Sequence, residues 1–165
     1  MKKISVLLAS LLFASFSAFA VEVGQMAPDF ELQGQNGTTV KLSSYKGKTV
    51  YLDFWASWCG PCKQSFPWMN EMQSRYGAKK FQIVGVNVDQ KTDDAKAFLK
   101  ENNANFDIVF DSTGKIPKTF QIKGMPTSML IGADGKILSI HTGFKPEQKP
   151  ELEKQIKDAM KDSSK

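Results

Sequence analysis

Hydrophobic and polar positions alternate along much of this chain, and the period of the alternation changes from segment to segment. Phe30-Glu31-Leu32 and Thr38-Val40-Leu42 flank Gly34-Gln35-Asn36-Gly37. Two-residue alternation around Asn-Gly predicts a β-hairpin. Thr49 to Trp55 is a nearly continuous apolar run, which predicts a buried central strand. From Pro61 to Tyr76 the apolar residues Phe66, Met69, Met72 and Tyr76 recur at helical spacing, with a kink expected at Pro67. Phe81 to Val88 predicts a second buried strand. Thr92 to Asn102 predicts a helix with Ala95, Phe98 and Leu99 on one face.

Phe106 to Phe110 is a short strand, and Ile116 to Phe120 a short helix or turn. Ser128 to Ile131 and Lys136 to His141 are two strands joined through Ala133-Asp134-Gly135. Glu147 to Met160 reads as a last helix, with Leu152 and Ile156 inward and Pro146 where a first-turn proline is tolerated. The tail from Lys161 to Lys165 is expected to fray. Alternating strands and helices give an α/β fold with helices packed on a sheet, and the final hairpin makes that sheet mixed.

The first 20 residues have a different logic. Lys2 and Lys3 precede an apolar run from Ile4 to Phe16 that only Ser5, Ser10 and Ser15 interrupt, and Ala18-Phe19-Ala20 follows. That order is a secretory signal peptide with its cleavage site. An uncleaved anchor is the alternative, though Ile4 to Ala20 is slightly short for a span of about 20 residues. With no cysteine near Ala20, lipid modification there is excluded. Residues 21–165 then form a single exported domain, expected to be monomeric.

Composition narrows the class. The chain has 165 residues, 41% of them hydrophobic and 24% charged, enough for a core that folds without staples. The net charge of +5 raises the question of nucleic acid, but the lysines are scattered and Arg75 is the sole arginine. Arginine is the preferred reader of phosphates and bases, so a solvated basic surface without a nucleic-acid partner is expected.

Both cysteines lie in Cys59-Gly60-Pro61-Cys62, where a buried strand gives way to a helix. Positions three apart in a helical turn share a side, at a separation a disulfide accepts. The helix N-terminus favours thiolate at Cys59. Lowering a thiol pKa from ~8.5 to ~7 raises its ionised fraction about fifteenfold at pH 7, while the accompanying loss of nucleophilicity takes back about fivefold. The gain in attack is thus about threefold, and the lower pKa matters as much for the leaving group. Cys59 is assigned as nucleophile and Cys62 as the resolving thiol. A purely structural disulfide is disfavoured because so short a loop saves little unfolded-state entropy. Half of a zinc site would need two further ligands, with only His141 and carboxylates at hand.

The run Tyr51-Leu52-Asp53-Phe54-Trp55-Ala56-Ser57-Trp58-Cys59-Gly60-Pro61-Cys62-Lys63 resembles the active-site signature of thioredoxin, and Gly124-Met125-Pro126-Thr127 resembles its second signature. The resemblance spans about residues 48–160. It implies the thioredoxin fold and a cis Pro126 facing the cysteines. It also implies a substrate-binding surface of Trp58, Gly60, Pro61, Met125 and Pro126, with Met125 offering its backbone to a substrate strand. Relative to thioredoxin, the motifs are separated by an extra helix and strand, supplied by residues 91–111. That insertion, the N-terminal hairpin and the signal peptide resemble the secreted thioredoxin-like proteins grouped as TlpA/ResA/DsbE-like. These are bacterial thiol–disulfide oxidoreductases, several of them serving cytochrome c maturation, and the resemblance implies a periplasmic or extracellular location.

By this resemblance Asp53 matches the buried carboxylate that relays the proton of the resolving cysteine. Burying it between Leu52 and Phe54 is costly and raises its pKa. Two departures appear. Ser65 stands where many relatives carry Glu, and Gly85 stands where thioredoxin has a lysine partner for the carboxylate. No cofactor site and no metal site is visible, so electrons must come from outside. The resemblance implies a membrane thiol donor of the DsbD/CcdA kind and disulfide-containing protein substrates.

Trp55, Phe66, Met69 and Met72 read as core, Lys63 as a solvated charge and His141 as structural or surface. Two alternatives remain. Gly24-Gln25-Met26-Ala27-Pro28-Asp29-Phe30 also resembles the start of peroxiredoxins, but a peroxidatic site needs Thr where Ala56 stands. A metal-delivery module of similar fold would need a wider cysteine spacing and a histidine.

Overall fold

The computed structural model describes residues 21–162. The expected signal segment and the last three residues lie outside that range. The elements are β1 Glu31–Gly34, β2 Thr39–Lys41, a 3-10 turn Leu42–Tyr45, β3 Thr49–Trp55, α1 Gly60–Tyr76, β4 Phe81–Asn87, α2 Thr92–Glu101, β5 Asp107–Phe110, α3 Lys115–Thr119, β6 Thr127–Ile131, β7 Ile137–Thr142, a 3-10 turn Pro146–Gln148 and α4 Lys149–Asp162. The strands form one sheet in the order β2-β1-β5-β4-β3-β6-β7. β3, β4 and β5 run parallel, and every other pairing is antiparallel.

The position of each strand follows from its sequence. All residues of β3 are buried, as an apolar run with layers on both faces requires. β4 is nearly as deep and pairs with β3 along its whole length. The two hairpins close at Gly37 and Gly135, where φ is +74° and +90°, a region that glycine enters without steric cost. The helix and strand of residues 91–111 are α2 and β5, and β5 lies between β4 and the N-terminal hairpin.

α1 continues through Pro67 as one element. Pro67 cannot donate to the carbonyl of Lys63, but both residues are on the exposed side, where water can take the lost bond. α4 begins at Lys149 rather than Glu147, because Pro146–Gln148 form a 3-10 turn in which the Lys145 N–H donates to the Gln148 side chain at 2.9 Å. It also extends through Lys161 to Asp162, beyond the point at which fraying was expected.

The sheet divides the interior into two cores. On one face α1, α2 and α4 cover Tyr51, Trp55, Ile83 and Leu130. On the other, α3 and the N-terminal segment cover Leu52, Phe54, Val84 and Met129. Strand alternation decides the assignment: Tyr51, Asp53 and Trp55 look toward α1, while Leu52 and Phe54 look away. Beneath α1 the rings of Trp55, Phe66 and Phe98 stand with centroids 4.9–5.1 Å apart, a packing that makes the site's floor rigid.

Candidate active site

The cysteines occupy the junction of β3 and α1. After Trp55 the ladder gives way to a loop in which the Cys59 N–H donates to the Ala56 carbonyl at 3.1 Å. Cys59 caps α1, with extended backbone, and its Sγ accepts from the Cys62 N–H at 3.3 Å. The two are joined as a disulfide with Cα atoms 5.2 Å apart, within the range the bond accepts.

The N-cap position gives the pair its electrostatics. A thiolate at Cys59 would receive the same N–H and feel the unneutralised positive end of α1, whose first turn holds no acidic residue. Cys62 is wholly buried, whereas Cys59 retains a 5% exposed edge beside Trp58, which is 71% exposed. Pro61 and Gly60 are exposed too, and a Cβ on Gly60 would meet nothing within 4 Å. Together they make an open apolar rim beside Cys59, the less buried cysteine of the pair. Ser65 is buried and donates to the Cys62 carbonyl at 2.9 Å, so it closes a backbone acceptor and presents no acid.

The second motif arrives on the neighbouring strand. The Met125–Pro126 peptide is cis. The Pro126 carbonyl accepts from Gly143 N–H at 2.7 Å, and Thr127 Oγ1 donates to the Gly124 carbonyl at 2.7 Å. Those bonds fix the loop at the head of β6. Met125 packs against the core cluster that contains both cysteines.

Asp53 sits in β3 on the α1 side, 2% exposed, with Oδ2 lacking any hydrogen-bond partner. Burial pushes its carboxyl well above the usual carboxylate range. Its register partner on β4 is Gly85. A Cβ there would come within 2.9 Å of Ile108 and 3.1 Å of the Trp55 indole nitrogen, so packing fills the place where thioredoxin holds a lysine. Lys63 is exposed, and His141 is half-buried with Nε2 3.3 Å from Gln148 Oε1.

Comparison with known proteins agrees with this geometry. The redoxin family profile matches residues 22–156. Thiol–disulfide oxidoreductase ResA of Bacillus thuringiensis subsp. konkukian is 35% identical over 137 residues, covering 83% of this chain and 78% of that protein. ResA of Bacillus subtilis is 35% identical over 124 residues, covering 75% and 69%. A crystal structure assigned to thiol:disulfide interchange protein DsbE of Chlorobium tepidum superposes with a TM-score of 0.83 at 55% identity, covering 86% of this chain and 99% of that one. The chain belongs to the redoxin family and is a thiol–disulfide oxidoreductase.

The oxidoreductase also holds its loop by a device that the sequence reading passed over. Asp89 is buried just beyond β4. Its carboxylate accepts from Ser57 N–H at 3.0 Å, from Ser57 Oγ at 3.1 Å and from Asn87 Nδ2 at 2.7 Å, while its own N–H donates to Asn87 Oδ1 at 3.1 Å. The clamp ties the loop before Cys59 to the end of β4. Its signal was Asn87-Val88-Asp89 closing an apolar strand, where polar residues two apart share a face.

Asp89→Ala is expected to orphan three donors, the buried Asn87 amide and the part-buried Ser57 N–H and O–H, and cost about 2–4 kcal/mol. Asp89→Asn, which can accept two of the bonds and donate to Ser57 Oγ, should cost under half as much. Urea unfolding of the oxidised protein checks this. Equal losses in the two variants would show that the bonds do not matter.

Proposed function

We propose that this oxidoreductase reduces protein disulfides outside the cytoplasm by dithiol–disulfide exchange. Cys59 attacks one substrate sulfur, the substrate disulfide breaks, and a Cys59–substrate mixed disulfide forms. Asp53 takes the proton of Cys62. The Cys62 thiolate then attacks Cys59 Sγ, the internal disulfide forms, and the substrate leaves with two electrons and both its sulfurs reduced. Trp58, Gly60, Pro61, Met125 and Pro126 form the docking rim, and the backbone of Met125 pairs with the substrate strand.

The observation that carries this reading is the pairing of one edge-exposed cysteine at an unneutralised helix N-terminus with a fully buried partner one turn on. The export segment Lys2 to Ala20 supports a periplasmic location. No helix among the described residues is long and apolar enough to cross a membrane. Regeneration by a membrane thiol donor of the DsbD/CcdA kind, monomeric action and service in cytochrome c maturation complete the proposal on family resemblance.

The test is the reduction potential of the Cys59–Cys62 pair, by equilibration with dithiothreitol or glutathione. A reductant is expected near −270 mV, as for thioredoxin. A value near −120 mV, as for DsbA, would reverse the direction of electron flow and overturn the proposal.

A further inference from the structure

The proposed base has no cation to support it. None of the buried polar side chains among the described residues is a lysine, arginine or histidine. An ionised carboxylate in such a place needs hydrogen-bond donors instead. The register of β3 with β6 places one nearby, although it is not bonded to Oδ2 in this structure. Asp53 lies directly opposite Ser128. Opposed residues on one face of an antiparallel pair have Cβ atoms about 5 Å apart, within reach of a hydrogen bond between two short side chains.

Among the described residues, Ser128 Oγ has one side-chain hydrogen-bond partner. The Tyr51 hydroxyl donates to Ser128 Oγ at 2.7 Å, spanning the diagonal from β3 to β6. Both residues are buried, at 5% and 4% exposure, and Trp68 stacks edge-on against the Tyr51 ring with centroids 5.6 Å apart. A serine hydroxyl that accepts from tyrosine keeps its own proton for donation. The one acceptor opposite it that lacks a partner is Asp53 Oδ2.

We infer that Tyr51 and Ser128 form a relay of hydroxyls ending on Asp53, which supports the carboxylate in the state that accepts the Cys62 proton. The inference rests on the reading of Asp53 as that base. When Asp53 ionises, the Ser128 O–H turns toward Oδ2, while the Tyr51 O–H holds Ser128 Oγ and polarises it. When the Cys62 proton moves to Asp53, the carboxyl becomes neutral and the Ser128 bond weakens. Tyr51 and Ser128 are positioning residues, since they act through Asp53.

On the α1 side of the sheet, the strand neighbours of Asp53 are Tyr51 and Trp55 of β3, Gly85 of β4 and Ser128 of β6, and Trp55 Nε1 is, like Asp53 Oδ2, buried without a partner. The core cluster packed on this face holds Cys62 of α1 and the apolar Leu152 and Ile156 of α4. Burial and the Asp53 charge both push the Tyr51 phenol upward, so it stays a donor over the working pH range.

The experiment follows the Asp53 carboxyl carbon by NMR against pH in the reduced protein, together with the rate at which Cys62 resolves a mixed disulfide. Ser128→Ala is expected to move the Asp53 midpoint up by about one pH unit and slow resolution about tenfold at neutral pH. Tyr51→Phe should act in the same direction and less, because Ser128 keeps its proton. Ser128→Thr retains the hydroxyl and should restore the wild-type midpoint, which a merely structural role would not predict. In an Asp53→Asn background, Ser128→Ala should change the rate no further.

If Asp53→Asn slows resolution while Ser128→Ala leaves midpoint and rate within about twofold of wild type, the relay is wrong and the base stands. An unchanged rate in Asp53→Asn removes the base, and the relay with it. Should Ser128→Ala fail to fold, Tyr51→Phe and Ser128→Thr decide on the same readouts.

Discussion

Cys59→Ser is expected to abolish reduction of a protein disulfide, whereas Cys62→Ser is expected to leave the first attack intact and accumulate mixed disulfides. The asymmetry follows from the junction of β3 and α1. Cys59 is the N-cap, receives the Cys62 N–H and keeps an exposed edge beside Trp58. Cys62 is wholly buried one turn on, where no substrate sulfur can approach it until Cys59 has been engaged. Exchange requires near-linear attack by a thiolate on an accessible sulfur, so only Cys59 can begin it. Once the mixed disulfide exists, the 5.2 Å between Cα atoms lets Cys62 reach Cys59 with little backbone movement.

Non-reducing gels of each variant incubated with oxidised substrate separate the outcomes. A covalent adduct with Cys62→Ser and none with Cys59→Ser is the expected result. Adducts formed equally by both variants, or by Cys59→Ser alone, would reverse the roles. An intact turnover rate in either variant would remove the pair from the reaction.

Much of this site was legible in the chain because its parts are local. The helix start, the cysteine spacing and the apolar β3 all lie within residues 49–76, so spacing and periodicity carried the reading. The vacancy of the lysine position was legible too, since counting along parallel β3 and β4 pairs Asp53 with Gly85. What the sequence hid is what only tertiary packing brings together. Asp89 reaches Ser57 across 32 positions. Tyr51 meets Ser128 across 77. Neither contact has a periodicity to announce it. The kink expected at Pro67 leaves α1 a single element, because Pro67 faces water, which can take the bond the proline does not make. The start of α4 moved because the Lys145 N–H donates to the Gln148 side chain, a bond that competes with the first helical turn.

Asp53 also makes a prediction about stability, and its sign is opposite to that of an ordinary paired carboxylate. Burial raises its pKa above the unfolded value of 3.8. From that pH upward the folded protein holds a proton that the unfolded chain has released. Where the folded state binds more protons, unfolding free energy falls as pH rises, by about 1.4 kcal/mol per pH unit for one group. The contribution is therefore fully present below pH 3.8 and is lost progressively until the folded protein's own Asp53 titrates.

Asp53→Asn removes this loss while keeping the shape of the side chain. In the disulfide form, where neither cysteine titrates, the variant is expected to be more stable than wild type at pH 8. At pH 4 the difference should be small. Urea midpoints at the two pH values measure it, since the substitution leaves the slope unchanged. The same variant should resolve mixed disulfides more slowly, because an amide cannot take the Cys62 proton. Stability gained and turnover lost in one substitution is the pattern of a group retained for chemistry rather than for folding. A stability difference independent of pH would show that Asp53 does not titrate differently on folding. It would also leave the unpaired Oδ2 without the chemical role assigned to it.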